Sequence, residues 1–441
     1  MSTDLMPNRF RPGDAELPQR EAELIARRDR VLGASYRLQY RKPVHFVRAE
    51  GMWLYDPDGR ACLDFYNNVP SLGHCHPEVN AAMADQAARL NANTRYLEPR
   101  LVDYAEKLIG TFPAELDRVV FTCTGSESND LALRIARLVS GNEGVIVTSY
   151  AYHGTSAAVA AVSPNLGAAV NLSPFVRMVR LPGPAGIPEA QAAAFFEAEV
   201  RAAITDLQRR GIGMAAMLFD SIFSSDGVWT DPAGFIGGAI EAVREAGGLV
   251  ISDEVQPGFG RTGAHMWGFE HHGIVPDLVT LGKPMGNGFP IGAVVGRHRP
   301  MEQFGQTARY SNTFAGNTVG IATADAVLTI LQRDRILDSV VKVGKHLRQG
   351  MEQVAREVPG IRGIRNAGLF FGVDIGLEDS TPAQRRAMAL DVVNAMRDDG
   401  VLISTTGENE DALKIRPPLV CQAEHADMFL AAFRKALARC T

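Results

Sequence analysis

The chain has 441 residues, enough for about two or three packed units and too many for one simple core. Hydrophobic residues make up 46% and charged residues 22% of the sequence, the balance of a soluble globular protein, which excludes a coiled coil and a mostly disordered chain. The formal net charge of −5 leaves no basic field that would attract nucleic acid or an anionic membrane.

The N-terminal segment and the cysteines predict a cytoplasmic protein. Residues 1–30 are polar and charged and lack the apolar stretch of a secretory signal, and no later stretch reaches the roughly 20 apolar residues of a membrane span. The five cysteines are odd in number and scattered along the chain, which is typical of reduced thiols. We therefore expect neither a membrane partner nor a nucleic-acid partner.

The first 75 residues predict a helix and a hairpin. Helical periodicity covers residues 20–32, and the hairpin consists of two strands over 44–54 and 61–65. We expect this N-terminal segment, residues 1–75, to pack with the C-terminal part of the chain.

Residues 76–320 alternate short apolar runs with helical patterns such as 127–138 and 235–246. Continuous apolar runs of this length are typical of strands that are buried on both faces. This part of the chain therefore predicts a large α/β domain with a mostly parallel central sheet flanked by helices. The predicted strands cover residues 118–123, 144–148, 215–219, 248–252, 277–281 and 291–295.

Residues 321–441 predict a smaller α+β domain. Short strands near 370–375 and 401–404 and one ending at 414–416 separate helical stretches. Those helices are predicted over residues 321–331, 336–358 and 383–399.

A polar or reactive residue follows five of the strands predicted for the large domain. In open α/β sheets, ligands bind in the crevice outside the carboxyl ends of the strands, so these residues predict a single pocket. They are Thr124-Gly125-Ser126, Tyr152-His153-Gly154, Asp220, Asp253 and Lys283.

Gly125 and Ser126 are candidates for binding a phosphate. A glycine turn that leads into a helix offers free backbone N–H groups to an anion, and the serine hydroxyl adds a donor. The alternative is that Ser126 only caps the helix, which is the commoner use of such a residue.

Asp253 and Lys283 are candidates for the chemistry itself. The carboxylate of Asp253 could hold a proton on a heteroaromatic nitrogen, or it could form a structural ion pair or a helix cap. Lys283 ends an apolar strand, where lost hydration lowers the pKa of the amine and makes it nucleophilic. Glycines at 282, 286 and 288 favour this reading over a surface lysine. With Tyr152 as an aromatic face, these residues match the needs of pyridoxal phosphate.

Two further motifs predict no site. Residues 258–263 read Gly-Phe-Gly-Arg-Thr-Gly and satisfy a dinucleotide fingerprint, but no convincing helix follows, so we interpret them as a loop. His74-Cys75-His76 has no second Cys/His cluster at ligand spacing, and we expect no metal.

With these motifs, the sequence resembles the class III aminotransferases, pyridoxal-phosphate enzymes of fold type I. The resemblance implies that Lys283 forms the Schiff base with the cofactor, that Asp253 binds its ring nitrogen and that Gln256 lies beside its ring hydroxyl. The matching segments are GHCHPEV (73–79), TGSESNDLALRIAR (124–137), YHG (152–154), SDEVQPGFGRTG (252–263), LGKPMGNGFP (281–290), NTFAGN (312–317) and LKIRPPL (413–419).

The same resemblance implies further contacts with the cofactor. Gly125 and Ser126 would bind its phosphate, and Tyr152 would stack on its ring. Asp220, at the position of the family's Glu-Pro glutamate, is a further cofactor-binding residue. Thr313 would reach the phosphate that is bound to the other subunit. The protein would then be an obligate homodimer, and pairing of dimers into a tetramer stays open.

The substrate residues depart from the family pattern. Aminotransferases of this class carry an arginine for the substrate carboxylate where this chain has Lys414, and here Arg416 stands next to Pro417. Arg95 is either an anion contact in the substrate pocket or part of an ordinary salt bridge.

The resemblance leaves two reactions open. The first is transfer of an amino group from an amine or amino acid to a 2-oxo acid. The alternative is a phospho-lyase that eliminates phosphate and ammonia from an amino-alkyl phosphate such as phosphoethanolamine or phosphohydroxylysine. Arg95, Lys414 and Arg416 could form a pocket for that phosphate. A third hypothesis, a regulator that binds the cofactor without catalysis, is disfavoured by the intact Lys283.

Overall fold

Three β-sheets organise the chain in the computed structural model, which describes residues 6–441. The helices are α1 Gln19–Val31, α2 Pro77–Arg89, α3 Pro99–Ile109, α4 Gly125–Ser140, α5 Ala157–Ala160, α6 Glu189–Arg209, α7 Gly237–Glu245, α8 His298–Thr307, α9 Thr318–Arg333, α10 Ile336–Glu357, α11 Pro382–Asp398 and α12 Ala423–Cys440. The strands are β1 Arg48–Glu50, β2 Trp53–Tyr55, β3 Ala61–Asp64, β4 Leu116–Thr122, β5 Gly144–Thr148, β6 Val176–Val179, β7 Met214–Asp220, β8 Leu249–Asp253, β9 Leu278–Leu281, β10 Gly292–Arg297, β11 Ile361–Ala367, β12 Phe370–Ile375, β13 Val401–Leu402, β14 Ser404–Thr406 and β15 Ala412–Ile415.

The largest sheet has seven strands in the order β4-β10-β9-β8-β7-β5-β6. Strand β10 is antiparallel to both of its neighbours, and the pairs among β9, β8, β7, β5 and β6 are parallel. Strands β5, β8 and β9 are buried along their whole length, which explains their continuous apolar sequence. The predicted α/β fold with a mostly parallel sheet is confirmed.

The structure differs from the predicted elements in several places, among them residues 44–54 and the unpredicted strands β6 and β11. Residues 44–54, predicted as one strand, contain β1 and β2, because Gly51 turns the chain with a φ of +57°. Strand β6 was not predicted from the sequence. It lies at the edge of the large sheet, and its two central residues are only partly buried or exposed, so it lacks the continuous apolar run of the inner strands.

One of the two smaller sheets joins the ends of the chain. One has the order β1-β2-β3-β13, in which Leu63 of β3 pairs with Val401 of β13, and the other has the order β11-β12-β15-β14. The backbone N–H of Arg416, just after β15, donates to the Phe65 carbonyl over 2.9 Å. The N-terminal strands thus hold the end of β15 in place. None of the helices within residues 6–441 is both long and apolar enough to cross a membrane.

Candidate active site

The carboxyl ends of β4, β7, β8 and β9 surround a cavity of about 110 Å³. It brings together seven of the residues singled out from the sequence. These are Gly125, Ser126, Tyr152, Asp220, Asp253, Gln256 and Lys283.

The first turn of α4 forms one wall of this cavity. Thr124 is the helix cap, because its hydroxyl accepts the Glu127 N–H over 3.2 Å. Capping by Ser126 is therefore ruled out, and the Ser126 hydroxyl instead accepts the Thr155 N–H over 3.1 Å. A Cβ on Gly125 would lie 2.8 Å from Val255 Cγ2, so only glycine lets the chain pass here. The free N–H groups of this turn suit a phosphate.

Asp253 is 5% exposed and is held by three N–H donors. Its Oδ2 accepts from His153 Nδ1 and from Asn129 Nδ2, each over 2.8 Å, and its Oδ1 accepts the Val255 N–H over 3.0 Å. Asn129 is oriented in turn by the Thr280 hydroxyl, which donates to its side-chain oxygen over 2.6 Å. The hydrogen bond with His153 thus coexists with a position on the cavity wall. Sequence reasoning missed the roles of His153 and Asn129, although His153 belongs to the YHG segment.

Lys283 begins a short helix, Lys283–Gly286, directly after β9. Burial lowers the pKa of its amine, and the Arg416 charge adds to this effect, while the carboxylates of Asp253 and Asp220 oppose it. A Cβ on Gly282 would lie 3.1 Å from the Gly125 backbone, so this glycine brings the lysine close to the phosphate-binding turn. The position supplies an amine with a lowered pKa next to a potential anion site.

The hydroxyl group of Ser224 links Asp220 and Gln256 by hydrogen bonds. Asp220 accepts the Ile222 and Ser224 N–H groups over 3.0 and 3.2 Å and also the Ser224 hydroxyl, so its carboxylate mainly holds its own turn. Burial raises the pKa of Asp220. Gln256 Nε2 donates to the Ser224 hydroxyl over 2.6 Å, and Gln256 Oε1 accepts from Arg416 Nη1 over 2.7 Å.

A second cavity of about 370 Å³ adjoins the first, and its lining includes two cations, the buried Lys414 and the partly buried Arg416. Tyr152, Gln256 and Lys283 line both cavities. The larger cavity therefore starts at the reactive amine, as a substrate pocket must.

Lys414, on β15, is 8% exposed. Its ammonium lies 5.5 Å from the centre of the Phe370 ring, and within residues 6–441 no carboxylate comes within 4 Å of it. Burial lowers the pKa of Lys414 well below its usual range, and the neighbouring charges of Arg416 and Lys283 lower it further.

Arg416 is oriented by uncharged groups. Its Nε donates to the Tyr66 carbonyl over 2.7 Å, and its guanidinium lies 4.9 Å from the centre of the Tyr66 ring. In the described part of the chain no carboxylate forms an ion pair with it, and burial lowers its pKa. Its charge is therefore available to an anion in the cavity.

Arg95 and Thr313 lie outside both cavities of this chain. Arg95 is exposed, its Nη2 donates to the Ser311 hydroxyl over 2.9 Å, and it lines a separate surface cavity of about 480 Å³. Thr313 is exposed on the same side of the molecule, two residues after Ser311. A role for either residue in the site would need a second subunit.

The residues of the smaller cavity fit pyridoxal phosphate. The first turn of α4 offers N–H groups to a phosphate, Asp253 offers a carboxylate to a protonated ring nitrogen, and Lys283 offers an amine to a carbonyl carbon. Tyr152 offers an aromatic face. His76 and His74 are not part of this site, since His74 Nε2 bonds Asp64 Oδ2 over 2.7 Å and His76 precedes α2.

Comparison with known proteins agrees with this geometry. Residues 36–437 match the family Aminotransferase class-III. The alanine–glyoxylate aminotransferase 2-like protein of Drosophila melanogaster is 36% identical over 430 residues, which are 95% of this chain and 87% of that protein. A phospholyase from Arthrobacter, solved in complex with phosphoethanolamine, is 43% identical with a TM-score of 0.90, covering 94% of this chain and 99% of that one.

A more distant solved structure contains the cofactor. It is an amine transaminase from an uncultivated Pseudomonas species in its pyridoxal-phosphate-bound form, with 25% identity, a TM-score of 0.83, and coverage of 91% of this chain and 96% of that chain. The chain therefore belongs to the class-III aminotransferase family and is an enzyme of fold type I that uses pyridoxal phosphate.

Proposed function

We propose that this enzyme eliminates phosphate from a primary amine that carries a phosphate ester on the neighbouring carbon, such as phosphoethanolamine. The observation that carries the proposal is a pair of cations, the buried Lys414 and the partly buried Arg416, which have no carboxylate partner among residues 6–441 and line the cavity that begins at Lys283. Buried charges are stable only when they are compensated, and a phosphate dianion supplies two negative charges in one compact group.

The same residues suit a carboxylate less well. Recognition of a planar carboxylate favours a free guanidinium fork, but Arg416 already uses Nε and Nη1 for the Tyr66 carbonyl and Gln256. Lys414 stands where the resemblance places an arginine, and its ammonium is a point charge that suits a phosphate oxygen. The similarity to a phospholyase solved with phosphoethanolamine supports the same choice.

Each residue then has a defined task in the reaction. Pyridoxal phosphate, when bound, supplies an electron-withdrawing ring that stabilises negative charge on the amine-bearing carbon. Asp253 holds a proton on the ring nitrogen, and Gly125 and Ser126 bind the cofactor phosphate. Lys283, with its lowered pKa, removes the proton from the amine-bearing carbon. Lys414 and Arg416 bind the ester phosphate.

The test is incubation of the holoenzyme with phosphoethanolamine in the absence of any oxo acid. We expect inorganic phosphate and ammonia to appear in equal amounts and over many turnovers. No release of inorganic phosphate would overturn the proposal.

Amino-group transfer is the second candidate, and the similarity to an alanine–glyoxylate aminotransferase 2-like protein favours it. Lys283 and Asp253 would serve both reactions, which differ in where the proton and the electron pair go. A panel of amines with and without a phosphate ester on the neighbouring carbon, added without acceptor, separates the two. Conversion of the cofactor to its pyridoxamine form, followed by absorbance, marks transfer, and an unchanged cofactor with liberated ammonia marks elimination.

We further propose that the enzyme is a homodimer in which Thr313 contacts the cofactor phosphate of the other subunit. The exposed apolar residues near it support this proposal, since Phe314 is 72% exposed and Tyr96 is 68% exposed in the single chain. Arg95 lies on the same face and would contact substrate only across the interface. We also propose a cytoplasmic location, supported by the five cysteines, all of which are free thiols.

A further inference from the structure

Elimination of phosphate requires a proton at the leaving oxygen. When the carbon–oxygen bond of a phosphate monoester dianion breaks, the departing group is the phosphate trianion, which is strongly basic and leaves poorly unless an acid protonates it as it departs. Two positive charges hold the group but do not by themselves meet this need. An acid must therefore lie in the same pocket as the two cations.

Arg416 cannot be that acid, because a guanidinium does not give up its proton in proteins. Tyr152 lies at the junction of the two cavities, where burial raises the pKa of its phenol and weakens it as an acid. Lys283 is needed as the base. The same cavity is also lined by Tyr150, whose phenol pKa burial raises to about 12, by the guanidinium of Arg386 and by the carboxylates of Glu408 and Glu410. Lys414 is the lining cation that combines a transferable proton with a position beside Arg416.

The surroundings of Lys414 favour proton donation. No carboxylate within the described residues holds its proton by an ion pair, one side of the ammonium faces the Phe370 ring, and the residue is 8% exposed. The charged groups that act on it are Arg416 and Lys283, which destabilise the ammonium, and Asp220 and Asp226, which stabilise it. An ammonium in such a place is a stronger acid than one in water.

We infer that Lys414 donates the proton that the departing phosphate takes up, so that it is a catalytic residue as well as a phosphate-binding one. This inference rests on the proposed function. In the step, Lys283 takes the proton from the amine-bearing carbon, and the electron pair left there forms the new carbon–carbon double bond. The carbon–oxygen bond breaks, its electron pair leaves with the phosphate, and one proton passes from Lys414 Nζ to the leaving oxygen. Lys283 gains one proton and Lys414 loses one.

The experiment compares two substrates that differ in their need for an acid, phosphoethanolamine and 2-aminoethyl sulfate. Both carry an anionic ester, but sulfate is a weak base and leaves without protonation. The variant Lys414→Arg keeps the positive charge and removes the transferable proton. We expect its kcat for phosphate release to fall roughly 100-fold or more, the typical contribution of general acid catalysis, and its initial rate of sulfate release to stay within about threefold of the wild type.

Two controls accompany this comparison. Lys414→Gln removes both charge and proton, so KM should rise for both esters while kcat falls selectively for the phosphate ester. Arg416→Lys should change KM for both esters without altering the ratio of the two kcat values. The visible absorption band of the bound cofactor, recorded for each variant, shows whether the site is intact.

The outcomes separate the two claims. If the wild type releases no phosphate from phosphoethanolamine, the proposed function fails, and proton donation by Lys414 fails with it. If the wild type releases phosphate but Lys414→Arg loses equal activity on both esters, or none, only the role of Lys414 as proton donor is overturned.

Discussion

His153 Nδ1 lies 2.8 Å from Asp253 Oδ2, and both residues line the smaller cavity. Because an ionised carboxylate only accepts, the imidazole must donate through Nδ1, and its Nε2 is buried without a partner. The histidine is 3% exposed, and its backbone N–H is fixed by the Ser163 hydroxyl over 3.0 Å. His153 thus orients the carboxylate that we assign to the cofactor ring.

Replacement of His153 should weaken the proposed interaction between Asp253 and the ring nitrogen of the cofactor. His153→Phe keeps a ring but removes the donor, and the loss of a hydrogen bond to a charged group, about 1.5–3 kcal/mol, predicts a fall in kcat/KM of roughly 10- to 100-fold. Ser163→Ala is the matched control, because it leaves the contact between His153 and Asp253 in place. Equal effects of the two substitutions would contradict an orienting role for the imidazole.

Gly125→Ala should lower the affinity for the cofactor. The new methyl group would lie 2.8 and 2.9 Å from the two Cγ atoms of Val255, and this β-branched side chain cannot rotate freely away. The turn that binds phosphate would then shift. The added substitution Val255→Ala opens the space and should restore affinity, measured by titrating the apoenzyme with pyridoxal phosphate. A double variant that is no better than Gly125→Ala would contradict this explanation.

Glu254 should make the protein less stable as the pH rises. Burial raises the pKa of Glu254 to about 7, although four donors, among them the Ser221 hydroxyl at 2.7 Å, partly oppose the shift. In the unfolded chain this carboxyl ionises near pH 4.3, so between about pH 4.3 and 7 the folded state binds the proton more tightly. The stabilisation that protonated Glu254 gives to the folded state is complete below about pH 4.3 and is lost as the pH rises through about 7.

The variant Glu254→Gln tests this linkage. It should flatten the dependence of the free energy of unfolding on pH in that window by up to about 1.4 kcal/mol per pH unit, measured by urea denaturation. Some slope should remain, because burial also raises the pKa of Asp226 to about 7 and this carboxyl is unchanged. An unaltered slope in Glu254→Gln would show that Glu254 is ionised in the folded protein.

Thr313 should contribute to cofactor binding in the active site of the other subunit. Lys283→Ala and Thr313→Ala homodimers should both be impaired, the first in chemistry and the second in cofactor affinity. In a mixed dimer, the site with an intact Lys283 receives its threonine from the Lys283→Ala subunit and should bind the cofactor normally. Full activity of that site would support the shared interface, and activity no better than the Thr313→Ala homodimer would contradict it.

The fold class, and the convergence of the predicted cofactor residues on one cavity, could be predicted from the sequence because strand ends converge by topology. An apolar run followed by Asp253 or Lys283 predicts both the strand and the position of the side chain at its carboxyl end. The division of the chain at residues 75 and 320 stays a prediction, as do the roles of the site residues.

Contacts between segments far apart in sequence could not be predicted. No periodicity links His153 or Asn129 to Asp253, which lies 100 or more residues later. The orientation of Arg416 depends on Tyr66, 350 residues earlier, through a backbone carbonyl that carries no sequence signal. Edge strand β6 was missed because its exposed residues break the apolar pattern.

The most direct test of the account is the crystal structure of Lys283→Ala holoenzyme with phosphoethanolamine bound. We predict that the amine of the substrate lies at the cofactor and that its phosphate lies within hydrogen-bond distance of both Lys414 Nζ and Arg416. A phosphate that points to the pocket mouth, or a pocket in which Lys414 and Arg416 contact no part of the substrate, would contradict the account.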